Sequence, residues 1–208
     1  MQTVYSPDSC HLYAESVKHL YNLGFRRILA VYASGVTWED KHLEILKKQY
    51  DEIGKFYKKC FYNNDGFYLS YIDSKIYNGI LNRKDKVCHV GRGQFNVDTD
   101  GFLYPCSQFV GKKEYCLGSA EKGIDTKAIK QVLKLSTEPD ICTDCQLKER
   151  CRNNCGCINL SETGTLDNVS PFQCEHERLV IDLADNMGEE LYKNAPEQFK
   201  KRYIVSSQ

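Results

Sequence analysis

The chain holds eleven cysteines, and seven of them form one compound pattern. Cys88 is followed by twelve residues, Gly101, four more residues and Cys106. After a gap comes Cys142-x2-Cys145-x5-Cys151-x3-Cys155, and after a second gap Cys174. Thiolates at such short spacings, with a distant partner, are how a chain wraps a thiophilic metal centre. A tetrahedral zinc site takes four ligands, and so does a cubic iron–sulfur cluster. Seven or more cysteines therefore imply two centres. A pair of structural zinc sites is the plainer reading, although Cys145-x5-Cys151-x3-Cys155 is not the usual two-by-two knuckle.

Composition narrows the setting. At 208 residues the chain can form one large domain or two small ones, each with a real core. Lys plus Arg and Asp plus Glu number 28 each. That balance argues against a nucleic-acid partner, which needs clustered positive charge. Lys47-Lys48 and Lys58-Lys59 read as the wet faces of helices. The apolar run at 26–33 is far too short to span a bilayer, so no membrane partner is expected. The N-terminus shows neither an apolar signal-peptide core nor a small-residue cleavage site. A reducing cytoplasm is the expected compartment, where clustered thiols mean metal or redox chemistry more than disulfides.

Residues 6–24 read as a helix, with Ser6 as N-cap, Pro7 in the first turn, a stripe of Leu12, Tyr13, Val17, Leu20 and Leu23, and Gly24 as the stop. Residues 27–33 read as a buried parallel strand. A second helix runs from about Trp38 to Tyr62, its inner face supplied by Leu43, Leu46, Tyr50, Ile53 and Tyr57, with Gly54 a weak point. Helix, strand, helix is a piece of an α/β layer or barrel, and one strand leaves its backbone groups without partners.

After residue 85 the character changes to glycines, cysteines and short β segments. Residues 94–97 and 102–104 flank Asp98-Thr99-Asp100-Gly101, a hairpin with Gly101 in the positive-φ position and both aspartates as turn formers. Ile129, Val132 and Leu133 mark a helix at 125–135, and 177–193 and 196–203 read as terminal helices with Leu179, Leu183 and Leu191 inward. Cys10 and Cys60 lie on helices outside the pattern, as semi-buried thiols. Trp38 reads as a packing anchor. His89 and His176 read as exposed or capped histidines, with ligation or bonding to a cluster sulfide as the alternative.

The cysteine string resembles the seven-cysteine signature of the SPASM domain, the C-terminal extension of many radical S-adenosylmethionine enzymes that modify peptides and proteins. The surrounding words match as well: Gly91-Arg92-Gly93, Asp100-Gly101-Phe102-Leu103-Tyr104-Pro105-Cys106, and Gln108-Phe109-Val110-Gly111 running on to Leu117-Gly118. The resemblance covers about residues 88–180 and implies two auxiliary 4Fe–4S clusters. It gives the first cluster Cys88, Cys106 and Cys155, and the second Cys142, Cys145, Cys151 and Cys174. For the fourth position of the first cluster Cys116 leads, with Cys157 or an iron left open to a substrate thiolate as alternatives. Because Cys155 lies among the second cluster's ligands and serves the first, metal binding and folding would be coupled.

Such enzymes also carry Cys-x3-Cys-x2-Cys, which holds a third cluster and S-adenosylmethionine, and this chain has no such triplet. The resemblance thus implies an α+β chain. Residues 1–85 would be the end of a partial (β/α)6 barrel, 86–180 a SPASM domain with hairpin and iron–sulfur knuckle, and 181–208 a helical tail. The expected function is the cluster-bearing region of a maturase that modifies a precursor peptide or protein, forming a thioether or other crosslink. It would be inactive alone, as part of a longer enzyme or beside a separate radical S-adenosylmethionine core chain. The rivals are a non-catalytic, cluster-bearing peptide-binding module and a two-zinc structural protein.

Overall fold

The computed structural model describes residues 1–81, 90, 91, 94–135, 139–151 and 155–204. The chain forms two compact units: Met1–Lys84 with Pro171–Gln208, and Asp85–Ser170.

The first unit is built on a three-stranded parallel sheet of β1 (Gln2–Tyr5), β2 (Arg27–Tyr32) and β3 (Tyr68–Leu69), in that order. Thr3 faces Ala30 and Val4 faces Val31 in one pair; Arg27 faces Tyr68 and Ile28 faces Leu69 in the other. Helices α1 (Tyr13–Asn22) and α2 (Asp40–Tyr62) make the crossovers, and α3 (Ser70–Leu81) follows β3 directly. The expected lone strand therefore has a parallel partner on each side. Neither partner stands out in the sequence, because four residues and two residues are too short for a period to be read. Nor is β2 buried on both faces. Ile28 and Ala30 are buried, whereas Leu29 and Val31 are each 38% exposed and Val4 is 58% exposed. The helices of this chain cover one face of the sheet.

The first helix starts later than its sequence suggests. Ser6 and Ser9 bond each other through their hydroxyls (3.1 Å) in a turn, Cys10–Leu12 forms a 3-10 turn, and the α-helix begins only at Tyr13. Gln49 Oε1 on α2 accepts from the Ala14 N–H at 2.8 Å, satisfying a helix-end donor that Ser6 does not reach. Gly24 ends the segment with φ +93°. On α2, Leu46, Tyr50, Ile53 and Tyr57 are buried as expected, and Lys47 and Lys59 are exposed.

Two C-terminal helices complete this unit, α6 (Pro171–Asn194) and α7 (Pro196–Tyr203). Helix α6 packs on α2 and α3, and its Val180, Ala184, Met187 and Leu191 share one core with Val17, Leu46, Ile53 and Ile72. Gly54 lies at the α2–α6 contact, where an added Cβ would sit 3.1 Å from the Met187 terminal methyl. Asp73 ties α7 in: its carboxylate accepts from Arg202 Nη2 (2.8 Å), Tyr57 Oη (2.8 Å), Tyr203 Oη (3.0 Å) and the Leu69 N–H (2.7 Å).

In the second unit, β4 (Asn96–Val97) and β5 (Leu103–Tyr104) pair antiparallel, as do β6 (Gly118–Ser119) and β7 (Gly123–Ile124). The first hairpin is the expected one: Asp98 Oδ1 accepts from the Asp100 and Phe102 N–H groups at 3.0 and 2.8 Å, and Gly101 has φ +82°. The second hairpin, absent from the sequence reading, bonds to the first through Leu117 N–H to Leu103 O (2.7 Å) and Ala120 N–H to Gly101 O (2.8 Å). Helix α4 (Thr126–Leu135) is capped by Asp125 Oδ1, 2.7 Å from the Lys127 N–H. Helix α5 (Gly156–Thr163) is a further element that the sequence did not announce. Val90, Tyr104, Phe109, Leu117, Val132 and Leu166 form this unit's small core.

Candidate functional site

Most of the described cysteines of the pattern sit where the backbone turns. Cys106 follows β5 and precedes a 3-10 turn at Ser107–Phe109, and its carbonyl accepts from the Phe109 N–H at 3.0 Å. Cys116 closes the next 3-10 turn, Lys113–Tyr115, and its thiol donates to Gly118 O at 3.4 Å. Beside it Tyr115 packs on Phe109 at 4.7 Å, and burial, with Glu114 second, raises its phenol above the ordinary value.

The knuckle is a run of short turns. Cys142 ends the turn Asp140–Cys142, Cys145 N–H donates to Cys142 O at 3.2 Å, and Lys148 N–H donates to Cys145 O at 3.2 Å. Cys151 N–H reaches Lys148 O at 3.4 Å. Cys155 is the N-cap of α5, its carbonyl accepting from Ile158 and Asn159 N–H at 3.0 Å each. Cys157 lies in the first turn of α5, with its Sγ 3.1 Å from Cys155 Sγ. Cys174 lies in the first turn of α6, in the first unit. Cys88 and His89 lie outside the described residues.

Of the ten described cysteines Cys10 and Cys60 are buried, and the other eight are half-buried. Soft donors held in tight turns, partly open to solvent, suit zinc or iron–sulfur ligation in their chemistry. Among the described residues, however, no three Cys, His, Asp or Glu side chains are gathered closely enough to hold one metal ion.

Several residues differ from their sequence reading. His176 is buried, not exposed: its Nε2 lies 2.6 Å from Tyr50 Oη and 3.0 Å from Tyr5 Oη. Burial, with the Lys75 ammonium second, lowers its imidazole to about 3, so it is neutral at ordinary pH. Cys10 is fully buried in the 3-10 turn, with its thiol 3.3 Å from Pro7 O; burial raises that thiol. Cys60 is buried on α2. Trp38 precedes α2 and does anchor packing, stacked on Phe172 at 4.5 Å with Nε1–H donating to Ala33 O at 2.9 Å. The buried ion pair Lys75–Glu177, between α3 and α6, had no sequence signal. Among the described residues no helix is long and apolar enough to cross a membrane.

No family model and no curated protein sequence matches this chain. Solved structures of anSMEcpe do resemble it. The hexahistidine-tagged protein with bound AdoMet superposes at a TM-score of 0.67 and 16% identity, over 97% of this chain and 56% of that one. The native protein with bound AdoMet and Cp18Cys peptide gives 0.66 and 17% over 93% and 57%, and with Kp18Cys peptide 0.64 and 17% over 93% and 57%. This chain thus spans a little over half the length of those proteins. At that identity the likeness is one of fold alone.

Proposed function

We propose that this chain is the cluster-bearing region of a radical S-adenosylmethionine/SPASM maturase acting on a precursor peptide or protein in the cytoplasm. The observation that carries the reading is a coincidence of two independent signals. The cysteine spacing resembles the SPASM signature, and the backbone resembles anSMEcpe, which has been solved with AdoMet and with peptides bound.

On this reading residues 1–85 are the end of a partial barrel, 86–180 the SPASM domain and 181–208 the helical tail. Cys88, Cys106 and Cys155 hold one 4Fe–4S cluster, with Cys116 as its fourth ligand, and Cys142, Cys145, Cys151 and Cys174 hold the other. The clusters supply electron acceptance or a site for a substrate thiolate, tuned by thiolate number and solvent access. The protein's part is to place those thiols on rigid turns. S-adenosylmethionine and a third cluster belong to Cys-x3-Cys-x2-Cys, a motif this chain lacks, so a whole enzyme or a separate core chain would supply radical formation.

The test is iron content after anaerobic reconstitution with iron and sulfide. Cys155→Ala and Cys88→Ala should each remove one cluster, about four iron atoms, and leave the electron paramagnetic resonance signal of the other. Cys10→Ala should leave iron unchanged, since that thiol is fully buried and lies outside the cysteine pattern. A colourless protein that takes up about two zinc ions and no iron would instead establish the structural-zinc alternative.

A further inference from the structure

Cys155 and Cys157 have sulfurs only 3.1 Å apart. Two thiolates on one tetrahedral metal stand about 3.8 Å apart, given metal–sulfur bonds of about 2.3 Å. Thiolates on different irons of a cubic cluster are held wider still, by the cluster between them. Contact at 3.1 Å is therefore too close for joint ligation, and its natural end point is a sulfur–sulfur bond of about 2.05 Å. Both thiols are half-buried rather than enclosed, so a small reagent can reach them. Cys157 also packs against the small core of Val90, Tyr104, Phe109, Leu117, Val132 and Leu166, which fixes one member of the pair.

We propose that Cys155 and Cys157 are a reversible thiol–disulfide site whose closure withdraws Cys155 from the first metal centre. One cysteine sulfur attacks a small-molecule disulfide and releases one thiol. The second cysteine attacks the resulting mixed disulfide and releases the other. The protein loses two thiol protons and two electrons and gains one sulfur–sulfur bond, while the oxidant becomes two thiols. A bond between residues two apart closes a small, strained ring, and strained disulfides are the labile, easily reduced ones. The disulfide itself is independent of the metal reading; its competition for Cys155 rests on the ligand assignment proposed above.

The experiment equilibrates the metal-free full chain, without oxygen, in buffers of reduced and oxidised glutathione, then blocks free thiols and maps the peptides. Cleavage after Arg152 and Glu162 isolates a peptide whose thiols are Cys155 and Cys157 alone. At the oxidising end that peptide should be unblocked and about 2 Da lighter than its dithiol, and dithiothreitol should restore both thiols. Cys157→Ser should leave Cys155 blocked or carrying glutathione. Two blocked thiols at every glutathione ratio would overturn the proposal, and so would a bond from Cys155 to Cys106 or Cys116. The disulfide form should then take up about one centre less iron than the reduced form, with dithiothreitol restoring it. Equal uptake by both forms, with the bond mapped, would keep the disulfide and overturn its competition with the metal.

Discussion

Lys75 and Glu177 show how strongly single residues can matter in the first unit. Both side chains are buried, so each charge depends on the other. Replacing one partner leaves an uncompensated buried charge, which costs about 3–5 kcal/mol, whereas replacing both can be close to neutral. Lys75→Met should therefore lower the denaturation midpoint sharply, and Lys75→Met with Glu177→Gln should recover most of the loss. Denaturant titration of the four forms in a double-mutant cycle checks it. The tyrosines divide in the same way. Tyr50 Oη bonds His176 Nε2 and Tyr5 Oη (2.7 Å), whereas the buried Tyr13 hydroxyl has no hydrogen-bond partner among the described residues. Tyr50→Phe should cost about 1–2 kcal/mol, and Tyr13→Phe should be neutral or stabilising by about 1 kcal/mol. An equal loss for both in thermal unfolding would contradict that division.

At the scale of elements, α2 and α6 meet where Gly54 leaves room for Met187. Glycine inside a helix costs about 1 kcal/mol relative to alanine. The neighbour of an added Cβ is the far end of a flexible methionine at 3.1 Å, which can turn aside. The two effects nearly cancel, so Gly54→Ala should change stability by less than about 1 kcal/mol. Gly54→Leu asks for volume that a rotated methionine does not release, and should cost about 1–3 kcal/mol. Chemical denaturation of both variants distinguishes a permissive contact from a tight one. Elements also mark the reach of sequence periodicity. Helices α2, α4, α6 and α7 have stripes long enough to read, and the β4–β5 turn announces itself through Asp98 and Gly101. Strands β1 and β3 and the β6–β7 hairpin do not, because pairing across chain distance and not local pattern makes them strands.

At the scale of the molecule the two units rest on different forces. The first has a broad apolar core drawn from three strands and five helices. The second closes over a much smaller apolar cluster, surrounded by the turns that carry most of the cysteines. A small core ordinarily needs metal or crosslinks to stay folded. Removing metal by chelation from the reconstituted chain should strip amide-exchange protection from α4, α5 and the two hairpins, while α2 and α6 keep theirs. Unchanged protection in the second unit after complete iron loss would refute metal-coupled folding.

The sequence by itself determined the set of candidate ligands. Seven cysteines at fixed spacings point to soft-metal chemistry before any fold is known, because spacing is a property of the covalent chain. It also determined the longer helices and the Asp98–Gly101 turn, which answer to local periodicity and turn chemistry. Tertiary structure decided what depends on distant partners. His176 lies against Tyr5 from 171 residues away, so no local pattern could show that it is buried and neutral. Lys75 finds Glu177 on another helix, and β2 acquires two neighbours and one bare face. The contact between Cys155 and Cys157 was in reach of the sequence only as proximity. The turn into α5, which aims both sulfurs at one point, made it a contact.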